Sequence, residues 1–424
     1  MRSSSLLQAI DAARRNTRPP ALCCAAGLAT ATGFAAAVAL SGCSLIGSRA
    51  TPPPPPPPPL AAAPAAPTLA DPIDTHHFVL ADADDDVIGS VQLTVASQED
   101  TLSDIARRFD IGYEEIVRAN PGVDPWIPGA GRQVVVPTQF VLPNAPREGI
   151  VINVAAMRIF YFPPHRKGEP QEVYTHPIGI GKIGWSTPEG VTHVVSHVKD
   201  PIWRPSRALR IDHRNDNGED LPAVVMPGPD NPLGKYEFRL GWPSYLIHGT
   251  NKPYGVGLRS SHGCVRLYPE DIVKLFQMVP NGAQVRVVDQ PFLFGWHDGR
   301  LYLQAYTVLE DDTRAWKSAP KKLLSHSLAA HVQSTLAAQK SSIDWQSVAA
   351  VTHAPRGVPV PVSGDGGSVE QVLAAAPLVQ NRIPAGSNWD GTDDTGTDGK
   401  SAQQLLSERE PSPAPAPAGH SPGG

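Results

Sequence analysis

The spacing of apolar positions changes along the chain, and each change marks an element. Val91, Leu93 and Val95 alternate with polar neighbours, the two-residue period of a strand with one buried face. From Leu102 the period becomes helical: Leu102, Ile105, Ala106 and Phe109 fall at i, i+3, i+4 and i+7, with Thr101 and Asp104 placed like a capping box. Gly112 is expected to stop this helix. Tyr113, Ile116 and Val117 mark a second short helix that ends at Asn120-Pro121, and Val134, Val135 and Val136 form a closing strand. Ile150, Ile152 and Val154, then Ile159 and Tyr161, bracket Ala155-Ala156 as a hairpin. Residues 191–198 continue as a strand, and the apolar run Tyr245, Leu246, Ile247 leads into His248. Pro269 opens a helix carrying Ile272, Leu275, Phe276 and Val279 at core spacing, and Val285, Val287 and Val288 suggest the last strand of that sheet. Residues 301–308 predict one more strand pair and residues 323–338 a helix. Beyond about Thr352 the chain turns to Gly, Pro, Ser and Asp with little to bury, which predicts disorder.

Composition then limits the class. With 46 prolines and 37 glycines in 424 residues, much of the chain is linker around two folded units. A net charge of -5 and the absence of a basic cluster interleaved with aromatics argue against a nucleic-acid partner. At the N-terminus Arg14, Arg15 and Arg18 precede an uncharged, Ala-rich run over residues 21–40, followed by Leu40-Ser41-Gly42-Cys43. Charge, apolar stretch and small residues describe a secretory signal; a plain membrane anchor of about 20 residues is the alternative. Prolines 52–59 form a stiff polyproline spacer. Asp82, Asp84, Asp85 and Asp86 lack the ligand pattern of a calcium loop and read as solvated.

Cysteine placement points to the chemistry. Cys23, Cys24 and Cys43 lie at the N-terminus, so a mature chain beginning at Cys43 keeps Cys264 as its one free thiol, which in an oxidising compartment fits a reactive role. A thiol attacks as thiolate and needs a base. His262, two residues away, shares a face with Cys264 in an extended segment; His248 lies at the end of a neighbouring strand, and a loop through residues 251–260 would return the chain beside it. Gly263 has no Cβ, so its N–H and that of Cys264 form a candidate oxyanion hole, and Arg266 offers a planar fork for a carboxylate. Gly179-Ile180-Gly181-Lys182-Ile183-Gly184 matches a dinucleotide fingerprint, yet Trp185-Ser186-Thr187-Pro188 cannot start the helix that such a site requires. It reads as a glycine-rich strand and turn. Zinc held by His248, His262 and Cys264 lacks a fourth ligand, and no metal or cofactor is expected.

His248-Gly249-Thr250, a spacer, and Ser261-His262-Gly263-Cys264-Val265-Arg266 resemble the signature of the L,D-transpeptidase (YkuD-type) catalytic domain, and the resemblance covers residues 150–288, including Gly179-Ile180-Gly181 and the run from Gly228 to Gly234. It implies a mainly β catalytic domain, a YkuD-type β-sandwich with short helices. It also implies Cys264 as nucleophile, His248 as proton acceptor and donor, His262 as a positioning residue, and Ser261, Gly263, Arg266 and Gly249 as oxyanion and substrate-binding residues. Relatives with serine after the first histidine differ from Gly249, which leaves only a backbone carbonyl to hold the imidazole. The βααβ unit, with Asp100-Thr101-Leu102 and Asn120, resembles a LysM module and implies binding to wall glycan. Leu40-Ser41-Gly42-Cys43 resembles a bacterial lipobox with Cys43 as the lipidation site, and Ser44 resembles an outer-membrane sorting residue.

The expected organisation is a lipoprotein signal at 1–42, a Pro/Ala-rich linker at 43–89, LysM at 90–139, the catalytic domain at 150–288, an extension at 289–345 and a disordered tail at 346–424. The expected activity cuts the diaminopimelate–D-alanine bond of a peptidoglycan tetrapeptide stem and passes the acyl group to an amine, in lipoprotein attachment or a 3→3 cross-link. Hydrolysis by an L,D-carboxypeptidase and a non-catalytic wall-binding lipoprotein are the alternatives. Peptidoglycan, an outer-membrane lipoprotein acceptor and, through the lipid anchor, the membrane are the expected partners, in a Gram-negative periplasm.

Overall fold

The computed structural model describes residues 69–392 apart from 81, 83, 167 and 317–319. The signal, Cys43, the polyproline run and the tail beyond 392 therefore lie outside the described residues. The chain opens with β1 (His77–Leu80), β2 (Val87–Gly89) and β3 (Gln92–Val95). Next come α1 (Leu102–Arg108) and α2 (Tyr113–Ala119), then β4 (Gln133–Val136), antiparallel to β3. The capping box forms as the spacing predicts: Thr101 Oγ1 accepts from the Asp104 N–H at 3.2 Å, and Asp104 Oδ2 accepts from the Thr101 N–H at 2.8 Å. Gly112, expected to stop α1, instead caps the start of α2, and its N–H donates to Glu115 at 2.7 Å.

β5 (Gln139–Val141) pairs with β2, and β6 (Gly149–Asn153) and β7 (Arg158–Phe162) form the expected hairpin. β8 (Gln171–Pro177), β9 (Ile180–Gly181) and β10 (Gly190–Lys199) follow, then α3 (Arg207–Asn217), which the apolar pattern does not reveal because its sequence is almost wholly polar. The sheet continues through β11 (Tyr236–Leu240), β12 (Leu246–His248), β13 (Arg259–Ser261) and β14 (Val265–Arg266), then α4 (Pro269–Met278) and β15 (Gln284–Val288). Nine strands form one sheet in the order β1-β8-β7-β6-β15-β10-β11-β12-β14. β15 is last in sequence but central in space, parallel to β6 and antiparallel to β10.

The strands around β6 are buried on both faces. Ile150, Ile152, Ile159 and Tyr161 join the catalytic core with Ile247, Val265, Ile272 and Leu275. Val151, Phe160 and Phe162 point the other way, into a core shared with Leu102, Ile105, Phe109, Ile116 and Val134. Near-continuous apolar runs are what two-sided burial selects. The βααβ unit therefore shares a core with the sheet instead of standing apart. An ion pair pins the junction: Arg158, with no exposed surface, meets Glu115 at 2.8 Å and lies 4.0 Å over the Phe140 ring.

The structure corrects the expected boundaries at both ends. The linker assigned to 43–89 includes β1, which joins the main sheet against β8, and β2. Asp86, assigned to a solvated loop, is buried and holds Arg147 at 2.7 Å and His331 at 2.9 Å. After β16 (Phe292–His297) and β17 (Arg300–Ala305), the single helix expected over 323–338 is two, α5 (Pro320–His326) and α6 (Ala330–Gln339). Ser325 and Ser327 donate to the carbonyls of Lys321 and Leu323, the local bonding by which serine competes with a continuing helix. The tail assigned to disorder from 346 folds as far as it is described, as α7 (Trp345–His353), β18 (Val360–Pro361) and α8 (Val369–Ala375). Val348, Val351, Val358, Val360 and Val362 pack with Leu301 and Leu303 and with Val91 and Val135 of the βααβ unit, a long-range burial that composition does not show.

Candidate active site

The catalytic motif is assembled by a parallel pairing. β12 and β14 lie side by side with Ile247 opposite Val265 and His248 opposite Arg266, and the intervening loop supplies the long crossover that parallel neighbours require. Cys264 stands just before β14, so the pairing sets thiol and imidazole in one groove. The groove encloses about 830 Å³ and is also walled by Trp203, Glu237, Tyr245, Ser261, His262 and Arg266.

His248 is 4 % exposed, and its Nδ1 lies 2.6 Å from the carbonyl oxygen of Gly249. An N–H at Nδ1 donating to that oxygen leaves Nε2 with its lone pair, the tautomer that a base needs. The expected backbone carbonyl is thus the one belonging to Gly249 itself. The Gly249 peptide is in turn fixed by its N–H to Tyr236 O at 3.1 Å, and a Cβ at this position would stand 3.0 Å from Ile272. Burial first, and Arg266 second, press His248 down to about 3, against the pull of the Gly249 and Leu233 carbonyls. Burial raises the Cys264 thiol, while a backbone N–H of Leu246 and Arg266 draw it down. Thiol and imidazole both rest neutral.

Ser261 and Gly263 serve the loop before they serve a ligand. Ser261 Oγ donates to the carbonyl of Cys264 at 2.5 Å and accepts from the Gly263 N–H at 3.2 Å. Of the two N–H groups expected to form an oxyanion hole, that of Gly263 is thus engaged by Ser261 Oγ in this structure. Gly263 is needed for its backbone, since φ is +98° and a Cβ would come 2.7 Å from Tyr245. Its carbonyl accepts from Thr187 Oγ1 at 3.0 Å, and the same hydroxyl accepts from the Gly181 N–H at 3.1 Å. The glycine-rich run therefore supports the cysteine loop, and Gly181 is required there because a Cβ would fall 1.9 Å from the carbonyl of Trp185.

His262 is tied to α3: its Nε2 lies 2.7 Å from Asp212, which Lys182 also meets at 2.8 Å, and its ring stands edge-on to Trp185 at 4.9 Å. Hydrogen bonds from Lys182 and His262 hold the Asp212 carboxyl down at about 2. Sequence reading missed Asp212 and Thr187. The Ser206 N-cap and the left-handed Gly218 are the signals that bound α3. Arg266 borders the groove and donates to Ser260 Oγ at 3.2 Å.

Residues 147–287 match the L,D-transpeptidase catalytic domain family and residues 96–137 the LysM domain family. The probable L,D-transpeptidase YcfS of Escherichia coli K12 is 40% identical over 232 residues, covering 54% of this chain and 71% of that protein. The probable L,D-transpeptidase YbiS of the same organism is 41% identical over 227 residues, 53% and 72% of the two chains. Among solved structures, the catalytic domain of an Enterococcus faecium L,D-transpeptidase matches at 23% identity and a TM-score of 0.24, covering 33% of this chain and 96% of that one.

Proposed function

The chain belongs to the L,D-transpeptidase family, and from that premise we propose that Cys264 carries the acyl group of a peptidoglycan stem with His248 as its base. The observation that supports this most directly is the Gly249 carbonyl 2.6 Å from His248 Nδ1, in the groove that also holds Cys264. Nε2 of His248 takes the thiol proton as sulfur attacks the diaminopimelate carbonyl. The Cys264 N–H stabilises the oxyanion, where one such donor is worth about 3 kcal/mol. The imidazolium then protonates the departing D-alanine amine. An incoming amine repeats the cycle in reverse on the thioester. His262, tied to Asp212 and Trp185, positions the loop, and Arg266 lies where a substrate carboxylate fits.

The resting pair is neutral because burial opposes charge on both groups. Thiolate forms only with substrate in place, which suits a free thiol exposed to oxidants. Lipidation at Cys43, a tether to the periplasmic face of the outer membrane and glycan binding by the LysM unit complete the reading. The acceptor is a lipoprotein amine or a second stem.

Mass spectrometry of the protein incubated with disaccharide tetrapeptide, with and without an added amine, tests the activity beside Cys264→Ala. Loss of D-alanine with an amine adduct, absent in the variant, is the expected result. A shortened tripeptide alone would move the reading to L,D-carboxypeptidase, and no product would overturn both. Lipidation is tested by incorporation of a labelled fatty acid that Cys43→Ser abolishes.

A further inference from the structure

A second cavity, of about 430 Å³, opens where the βααβ unit, the catalytic domain and the folded part of the C-terminal tail meet. That volume is typical of a small-molecule site. Its aromatic wall is Trp389, whose ring is stacked by the Arg107 guanidinium at 4.4 Å. Arg107 is itself held by Glu270 at 3.0 Å, so the indole sits on a fixed support. Such preorganisation lowers the ordering cost of a ligand. Asn251, Asn388 and Lys235 also line the cavity; Asn251 Nδ2 donates to the Pro229 carbonyl at 3.0 Å and Asn388 Nδ2 to Asp271 at 3.2 Å.

The cavity adjoins the catalytic groove. Asp200 borders both, and its N–H donates to the Lys235 carbonyl at 2.8 Å to form the ridge between them. Thr250, two residues beyond His248, lines the cavity wall, so it lies within about 7 Å of His248 along the backbone. A stem whose acyl carbon is on Cys264 keeps three residues between that carbon and its sugar, up to about 10 Å of extended chain. That reach exceeds the backbone span from His248 to Thr250 on the cavity wall.

We propose that the cavity walled by Trp389, Asn251 and Asn388 is a subsite for the N-acetylated sugar that carries the donor stem. This rests on the transpeptidase reading. The indole face packs the C–H face of a pyranose, and the Asn251 amide oxygen, buried without a partner, suits the N–H of an acetamido group. The folded part of the C-terminal tail thereby supplies specificity: it selects stems still attached to glycan over free peptides.

The test compares kcat/KM for a disaccharide-linked tetrapeptide and for the same tetrapeptide without sugar, in the full chain, Trp389→Ala and Trp389→Phe. The wild type is expected to prefer the sugar-linked donor about tenfold or more, the alanine variant to lose that preference and the phenylalanine variant to keep most of it. An unchanged ratio in Trp389→Ala overturns the subsite. If the wild type turns over neither donor, the transpeptidase reading fails. Calorimetric titration with the peptide-free disaccharide then decides the subsite by itself: weaker binding by Trp389→Ala supports it, and equal binding refutes it.

Discussion

At the scale of single residues, the active site is a set of groups kept neutral by burial and aimed by backbone. With His248 held at about 3, its base form persists far below the usual imidazole range. The acid limb of kcat/KM is therefore expected near pH 3 to 4, not near the ordinary histidine value of about 6.5. With the Cys264 thiol raised, alkylation by iodoacetamide should stay slow at pH 6 and climb only above about pH 8.5. A fast phase at pH 5 would reveal an ion pair and refute the neutral one. His248→Ala should lower kcat/KM by about 10² to 10⁴, the usual worth of a general base. His262→Ala should cost less, because the Nε2 of His262 is engaged by Asp212; a larger loss than in His248→Ala would reverse their roles. Cys264, His248 and the glycines between the histidines were legible as residue types in one pattern. Gly263's engagement with Ser261 was not, since a turn with φ of +98° decides which way its N–H points.

At the scale of elements, the junction of α1, β8 and α4 is held by a buried charge cluster. His176 lies 2.9 Å from Asp110 and 3.3 Å from Asp271, all three buried. Burial would lower the His176 value, but Asp271 and Asp110 override it and raise it to about 10. The same imidazolium draws Asp271 down against its burial. A histidine raised from its unfolded value contributes stability that is complete below about pH 6.5 and is lost as pH rises toward 10. Urea unfolding should accordingly weaken across that interval. His176→Gln should cost about 3–5 kcal/mol at pH 7, since it strands two carboxylates beside each other, and less at pH 4.5, where they accept protons. A destabilisation that does not change with pH would show that packing, not charge, holds this junction. The strands and α4 were readable because their periods are unbroken; α3 was not, because its polar residues pack against little and its worth lies in carrying Asp212 to His262.

At the scale of the whole molecule, the units that the sequence separates share cores. The Val379 N–H donates to the Leu93 carbonyl at 2.8 Å, the Leu93 N–H to the Pro377 carbonyl at 2.9 Å, and Asn381 reaches Asp100 at 2.7 Å and the Val95 carbonyl at 3.0 Å, so the C-terminal segment is laced to the βααβ unit. Limited proteolysis should release no stable βααβ fragment, because that unit shares cores with the sheet and with residues 358–379. Removing residues 346–424 uncovers Leu301, Leu303 and Val135 and should abolish a cooperative unfolding transition; an unaltered transition would restore the picture of independent domains. The sequence alone determined the helices and strands with clean apolar periods, the pattern of one cysteine with two histidines and the family, because these follow from local spacing and from residue chemistry. Tertiary structure decided that His262 is tied to Asp212, that the Gly263 N–H is engaged by Ser261, and that the Pro- and Gly-rich tail folds as far as residue 392. Each of those depends on contacts between residues distant in sequence, whose burial and pairing no local pattern records.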